Sequence, residues 1–157
     1  MTINVQICGN ADLHLEHLVL DINGTLAVDG ALIAGVDERV QLLTPDIRLH
    51  LLSSDTHNTA DAVAAALRVD VTIVEPPGEA EAKADFVRRL GSQHVAAIGN
   101  GANDTLMVAV AQLGICVIGE EGAQTETLLA ADIVAPNITA ALDLFLKPSR
   151  LMATLRR

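Results

Sequence analysis

Aromatic side chains are nearly missing from this sequence: among 157 residues there are two Phe and neither Tyr nor Trp. No platform for stacking bases or sugars can be built from that stock. Positive charge is scarce as well. Ten Lys and Arg against twenty Asp and Glu leave a formal charge of −10, which repels polyphosphate backbones and anionic membranes, so neither nucleic acid nor membrane is an expected partner. The two cysteines, Cys8 and Cys116, have no metal-ligand or redox spacing and read as small buried residues of a reducing cytoplasm. No apolar run reaches the 18 residues that suggest a membrane span, and no signal peptide or lipidation motif is recognisable. The expectation is a soluble cytoplasmic protein without linkers, low-complexity tracts or internal repeats.

What the chain does have is aliphatic bulk. Half of it is apolar, mostly Ala, Val, Leu and Ile, which suits close helix–sheet packing, and its length argues for one domain with a proper core. The expected order begins with an edge hairpin over residues 1–16, turning at Gly9–Asp12. Strand 18–22, a glycine-punctuated loop through Gly30 and Gly35, and helix 36–43 follow. Strands over 47–52, 71–74, 95–98, 115–118 and 133–134 then alternate with helices over 59–67, 79–90, 104–112, 125–131 and 138–146. A tail helix falls within 148–157. This alternation, with strands too apolar to have a wet face, predicts βαβ units, right-handed crossovers and a buried parallel sheet. The expected fold class is α/β: one doubly wound, Rossmann-like, three-layer domain.

Polar residues collect at the C-terminal ends of these strands, where open α/β sheets bind ligands. The stretch LVLDINGTL is a buried strand that ends on Asp21 and breaks at Asn23-Gly24-Thr25, whose backbone amides can hold an anion. Alone, Asn-Gly between apolar runs is equally a hairpin signal. The second strand end carries Ser53 and Ser54, hydroxyls able to bind phosphate oxygens but also ordinary helix caps. Lys83 lies in the first turns of the helix after the third strand, where it can neutralise phosphate and nucleophile, although a lone helical lysine is more often solvated. The fourth strand end, GNGAND, puts Asn100 and Asp104 on a loop with two glycines. Magnesium takes hard oxygen ligands and keeps several waters, so Asp21, a carbonyl near Asn23, Asn100 and Asp104 are candidate Mg²⁺ ligands. Gly24, Ser53, Ser54 and Lys83 are the candidate phosphate cradle. The chemistry suggested is in-line attack of Asp21 on phosphorus, giving an aspartyl-phosphate that water opens.

DxNGTL, a strand ending in Ser, then Lys, then GNGxND, in that order, resembles the haloacid dehalogenase superfamily of phosphatases. SSDTHNTADAVA and AIGNGANDTLMVAVAQLGICV are similar to segments of the phosphorylation domain of P-type ATPases and the small soluble proteins related to it. The resemblance runs from about Leu18 to Pro136. It implies a haloacid dehalogenase-like fold, with Asp21 at the nucleophile position, Ser53 at the phosphate-binding hydroxyl, Lys83 at the family's lysine, and Asn100 and Asp104 at the metal-side acids. Two departures stand out. Phosphatases of the superfamily carry an acid two residues after the nucleophile; here Asn23 stands there, and an amide cannot transfer a proton. Asn100 replaces a usual metal-binding Asp, so it would ligate Mg²⁺ without charge. Only 32 residues separate Asp21 from Ser53 and 30 separate Ser53 from Lys83, each stretch filled by one βα unit. No cap or nucleotide domain fits between them, so an open, capless site is expected and ATP-driven transport is not.

The expected function is a Mg²⁺-dependent phosphatase-like hydrolase that forms phospho-Asp21, slowly, on a phosphorylated small molecule or a phosphoprotein. The competing expectation is a non-hydrolytic module of the same fold that binds phosphate or becomes phosphorylated and acts on a partner. Smaller signals are weaker. His14 and His17 form an HxxH pair without a third ligand, and His50 reads as a packed or edge histidine. Asp55 is expected to cap the following helix, and His57 is within reach of the site mouth. The apolar stripe Leu142, Phe145, Leu146, Leu151 and Leu155 reads as core, with a homo-oligomer surface as the alternative.

Overall fold

The computed structural model describes residues 1–54 and 59–157, so the roles expected of Asp55 and His57 lie outside the described residues. The chain opens on an antiparallel ribbon, β1 (Ile3–Val5) and β2 (Leu13–Leu15), whose alternating side chains bury one face. The ribbon is a hairpin as expected but stands apart from the main sheet. Its apolar face packs on the core instead. Cys8, beyond β1, is exposed rather than buried, because only one side of so small a ribbon can be covered.

β3 (His17–Asp21) follows, buried at every position. After it come β4 (Ala27–Val28) and β5 (Ala31–Leu32), a short hairpin in the expected loop. Asp29 and Gly30 both take positive φ at its turn, 51° and 78°, the backbone that a two-residue hairpin loop requires. Next are α1 (Val36–Leu43), β6 (Arg48–Ser53), α2 (Thr59–Leu67), β7 (Val71–Ile73) and α3 (Glu79–Leu90). The second half runs β8 (Val95–Gly99), α4 (Thr105–Val110), β9 (Leu113–Val117), α5 (Thr125–Ala130) and β10 (Ile133–Ala135). It closes with α6 (Ile138–Leu146) and α7 (Pro148–Leu155).

Six strands pair in parallel in the order β10-β9-β8-β3-β6-β7. Period-2 alternation splits β3 between two cores. Leu18 and Leu20 pack with α1, α2, α6 and α7, whereas Val19 packs with Val87 of α3 and with Met107 and Val108 of α4. Three layers result. The stripe of α6 and α7 is core: Leu142, Phe145 and Leu151 are buried within it. Among the described residues no helix is long and apolar enough to cross a membrane. β3 is the strand from which the sheet was built outward in both directions, so its C-terminal end lies at the topological switch point where doubly wound folds open a crevice.

At the other end of β3, His17 Nδ1 lies 3.0 Å from His50 Nε2. His50 stacks edge-on against Phe86, their centroids 5.5 Å apart. Burial and the positive charge of Arg48 lower the His17 pKa; burial, His17 and Arg48 lower that of His50. The folded-state values therefore lie below the unfolded value of 6.5. The unfolded chain takes up protons first, so this contribution to stability is complete above pH 6.5 and is lost as pH falls through the folded values. The melting temperature of the wild type relative to His50→Leu should decrease as pH is lowered from 7 to 5. A difference that does not change with pH would contradict this.

Candidate active site

Asp21 ends β3, and its neighbour in register on β6 is Leu52, so Ser53 stands one residue further toward the same edge. The chain turns at once. Thr25, Leu26 and Ala27 all direct backbone N–H groups at the Ile22 carbonyl. Gly24 has φ 78°, and a Cβ there would lie 2.6 Å from Asn100 Nδ2. Glycine is needed both for the backbone and for the close approach of the loop after β8.

Lys83 comes from α3, on the stripe it shares with Ala84 and Val87. It is fully buried, at 0% exposure, and not solvated. Its ammonium donates to Asp21 Oδ1 at 2.6 Å and to Asp104 Oδ1 at 2.7 Å, short charge-assisted bonds. The second Asp104 oxygen accepts the backbone N–H groups of Asn100 and Gly101, each at 3.0 Å. A Cβ on Gly99 would lie 2.6 Å from that oxygen; glycine at 99 lets the carboxylate fold back over its own loop. Thr127 of α5 fixes the loop from behind, donating to the Gly101 carbonyl at 2.8 Å.

On the outer side Thr25 Oγ1 lies 3.1 Å from Asp21 Oδ2 and 3.3 Å from Asn100 Oδ1. One hydroxyl carries one proton, so it cannot satisfy both oxygens, and both distances exceed the usual 2.7–2.8 Å of an O–H···O bond. Two oxygens, one of a carboxyl group and one of an amide, thus face a common region around a single hydroxyl. That donor set suits Mg²⁺, which takes one or two carboxylates with neutral oxygens, waters and substrate phosphate. Among the described residues no group of three or more His, Cys, Asp and Glu is gathered so as to hold a metal ion, and His14 bonds Asn4 instead.

The structure therefore brings Asp21, Lys83, Asp104, Asn100, Thr25 and Gly24 together. Asn23 is exposed at the mouth, its backbone bridged to Ala27. Ser53 is buried, and its carbonyl accepts from Val74. Ser54 Oγ accepts from Asn103 Nδ2 at 2.9 Å, which ties the ends of β6 and β8 across the site. Asn103 escaped the sequence reading although it lies inside GNGAND, because nothing in the motif says which amide faces the neighbouring strand.

The chain matches no known family profile. An uncharacterised protein of Methanocaldococcus jannaschii, MJ0073, is 54% identical over 65 residues, 41% of this chain and 70% of that protein. Copper-transporting ATPase 1 of Rhizobium meliloti is 33% identical over 124 residues, covering 69% of this chain; the chain spans only 14% of the transporter. Among solved structures, cobalt-bound deoxy-D-mannose-octulosonate 8-phosphate phosphatase of Haemophilus influenzae superposes with a TM-score of 0.71 at 15% identity, covering 91% of this chain and 94% of that one. The corresponding enzyme of Moraxella catarrhalis, in complex with magnesium, phosphate and KDO, gives 0.68 at 21% identity over 90% and 94%. The chain has the haloacid dehalogenase-like fold of these phosphatases. The likeness is one of fold, and among the described residues no cap domain is evident.

Burial raises the Asp21 pKa, reinforced by the negative charge of Asp104 and opposed by Lys83; the outcome is a value of about 7 against an ordinary 3.8. For Lys83 burial acts downward, but the two carboxylates outweigh it and its pKa rises. Folded Asp21 keeps a proton that the unfolded chain releases above 3.8, so stability is present below that value and is lost as pH rises toward 7. In metal-free buffer Asp21→Asn should raise the melting temperature relative to wild type more at pH 8 than at pH 4. An equal shift at both pH values would contradict the buried, strained carboxylate.

Proposed function

We propose that the protein is a divalent-metal-dependent phosphoric monoester hydrolase that works through a phosphoryl group on Asp21. The observation that carries this reading is the buried Lys83 ammonium bonded to both Asp21 and Asp104 at the switch-point end of β3. A cation fixed there neutralises the nucleophile's neighbourhood and the incoming phosphoryl oxygens without reorganising, which is the larger part of catalysis in phosphoryl transfer. The superfamily fold supports the reading, as do neighbours that are phosphatases and that bind cobalt, or magnesium and phosphate.

In this mechanism an ionised Asp21 oxygen attacks phosphorus in line, and the P–O bond to the leaving group breaks on the opposite side. The alkoxide takes its proton from water, and a water molecule then hydrolyses the aspartyl-phosphate to free phosphate and Asp21. Gly24, Ser53, Ser54 and Lys83 hold the phosphoryl oxygens. Asp104 keeps Lys83 and the Asn100–Gly101 backbone in place. Asp21, the Asn23 carbonyl, Asn100 and Asp104 are the groups that would hold Mg²⁺, and a bound ion would supply charge neutralisation on the phosphoryl oxygens. Asn23 has no proton to give the leaving group and cannot take one from water, so both steps are slow. That same amide favours the second reading, a phospho-accepting module that turns over at background rate. The open site suits a phosphorylated small molecule or the phosphorylated side chain of a protein.

With Mg²⁺ and p-nitrophenyl phosphate or acetyl phosphate, phosphate release should be measurable in wild type and lost in Asp21→Asn. It should rise at least about tenfold in Asn23→Asp, since general acid–base catalysis is worth about 10²–10⁴ in rate. Release that survives Asp21→Asn would overturn the mechanism. Background turnover combined with a melting shift on adding fluoroberyllate and Mg²⁺ would favour the second reading.

A further inference from the structure

The loop between β9 and α5, residues 118–124, overhangs the Asp21 turn. It is stapled to the loop after β8 by two bonds: Gln124 N–H donates to the Asn100 carbonyl at 2.9 Å, and Asn100 Nδ2 donates to the Gly122 carbonyl at 3.4 Å. Gly119 and Gly122 both take positive φ, 54° and 76°, and the Gly122 N–H closes the turn onto the Gly119 carbonyl at 3.4 Å. Glu121 sits in this turn. Its Oε2 lies against the open face of Gly24, where it meets the same point in space as the Asn100 amide.

Glu121 is exposed and has no cationic partner among the described residues. Lys83, the buried ammonium of the site, is committed to Asp21 and Asp104. A third carboxylate at the mouth of a site that already holds two adds negative charge there, which a cation would offset. Asn100, where the resemblance leads one to expect an acid, contributes an oxygen but no charge. With Asp21, Asp104 and Glu121 against Lys83, the formal balance at this mouth is that of a divalent ion's counter-charge.

We propose that Glu121 supplies to the metal region the negative charge that Asn100 withholds, extending the ion's surroundings onto the loop 118–124. The inference rests on the metal-dependent reading above. The carboxylates are not gathered into one tight ligand cluster, so Glu121 acts on the ion across the waters that Mg²⁺ retains. An outer carboxylate of this kind is worth about 10–100-fold in metal affinity.

The test is Mg²⁺ binding to the full chain, without substrate, by isothermal titration calorimetry at low salt. Glu121→Gln should weaken Kd about tenfold or more, while Glu120→Gln, its exposed neighbour, should leave Kd within about twofold, as a screened surface charge does. Asn100→Asp should tighten binding in wild type and restore it in Glu121→Gln, a rescue that a merely structural role for Glu121 would not produce. Equal Kd values for wild type and Glu121→Gln, or equal losses in both Glu variants, would overturn the role of Glu121 while leaving the metal-dependent reading standing. No Mg²⁺ binding by wild type would overturn both.

Discussion

Everything at the C-terminal end of the sheet depends on one buried cation. Lys83 has no exposed surface and makes two short bonds to carboxylates from separate parts of the chain, Asp21 of β3 and Asp104 at the head of α4. Removing Lys83 would leave two buried carboxylates uncompensated, at a cost of about 3–5 kcal/mol. The arrangement thus holds β3, α3 and the loop after β8 in fixed register. The same bonds hold Asp21 at the floor of the crevice, with only 5% of its surface exposed. Structure and chemistry share a single interaction.

Around it, short glycines do the positioning. Gly24 and Gly99 are the places where a side chain would collide with Asn100 and with Asp104. The turn after β3 can therefore face the loop after β8 at hydrogen-bond distance, with Thr25 between them. The site has no lid among the described residues, and the loop 118–124 leans over it from the β9 side. In the proposed mechanism the neutral amide Asn23 slows the chemistry, because it can neither give nor take a proton.

The architecture was legible because its signals are local. Strands such as LVLD and VAAIG are apolar throughout, and Gly or Pro marks many of the breaks between elements, so α1, α2, α3 and α6 fall on the expected residues. The hairpin of β4 and β5 was missed because two-residue strands carry no periodicity; only Asp29-Gly30 betrayed the turn. Burial of Lys83 was readable in principle, since it shares the inward stripe of α3 with Ala84 and Val87. Contacts such as Asn103 with Ser54, 49 positions apart, and Glu121 with Gly24 depend on how far separate loops lean toward each other. No spacing rule encodes that.

Asn23 offers the most direct test of a covalent route through Asp21, because a site without a proton donor should let the phosphoryl intermediate accumulate. The decisive measurement is mass-spectrometric mapping of the protein quenched in acid during steady turnover of acetyl phosphate with Mg²⁺. A phosphoryl adduct on the peptide containing Asp21 should be abundant in wild type and diminished in Asn23→Asp. Phosphate release accompanied by no adduct, or by an adduct on a different residue, would contradict the covalent route.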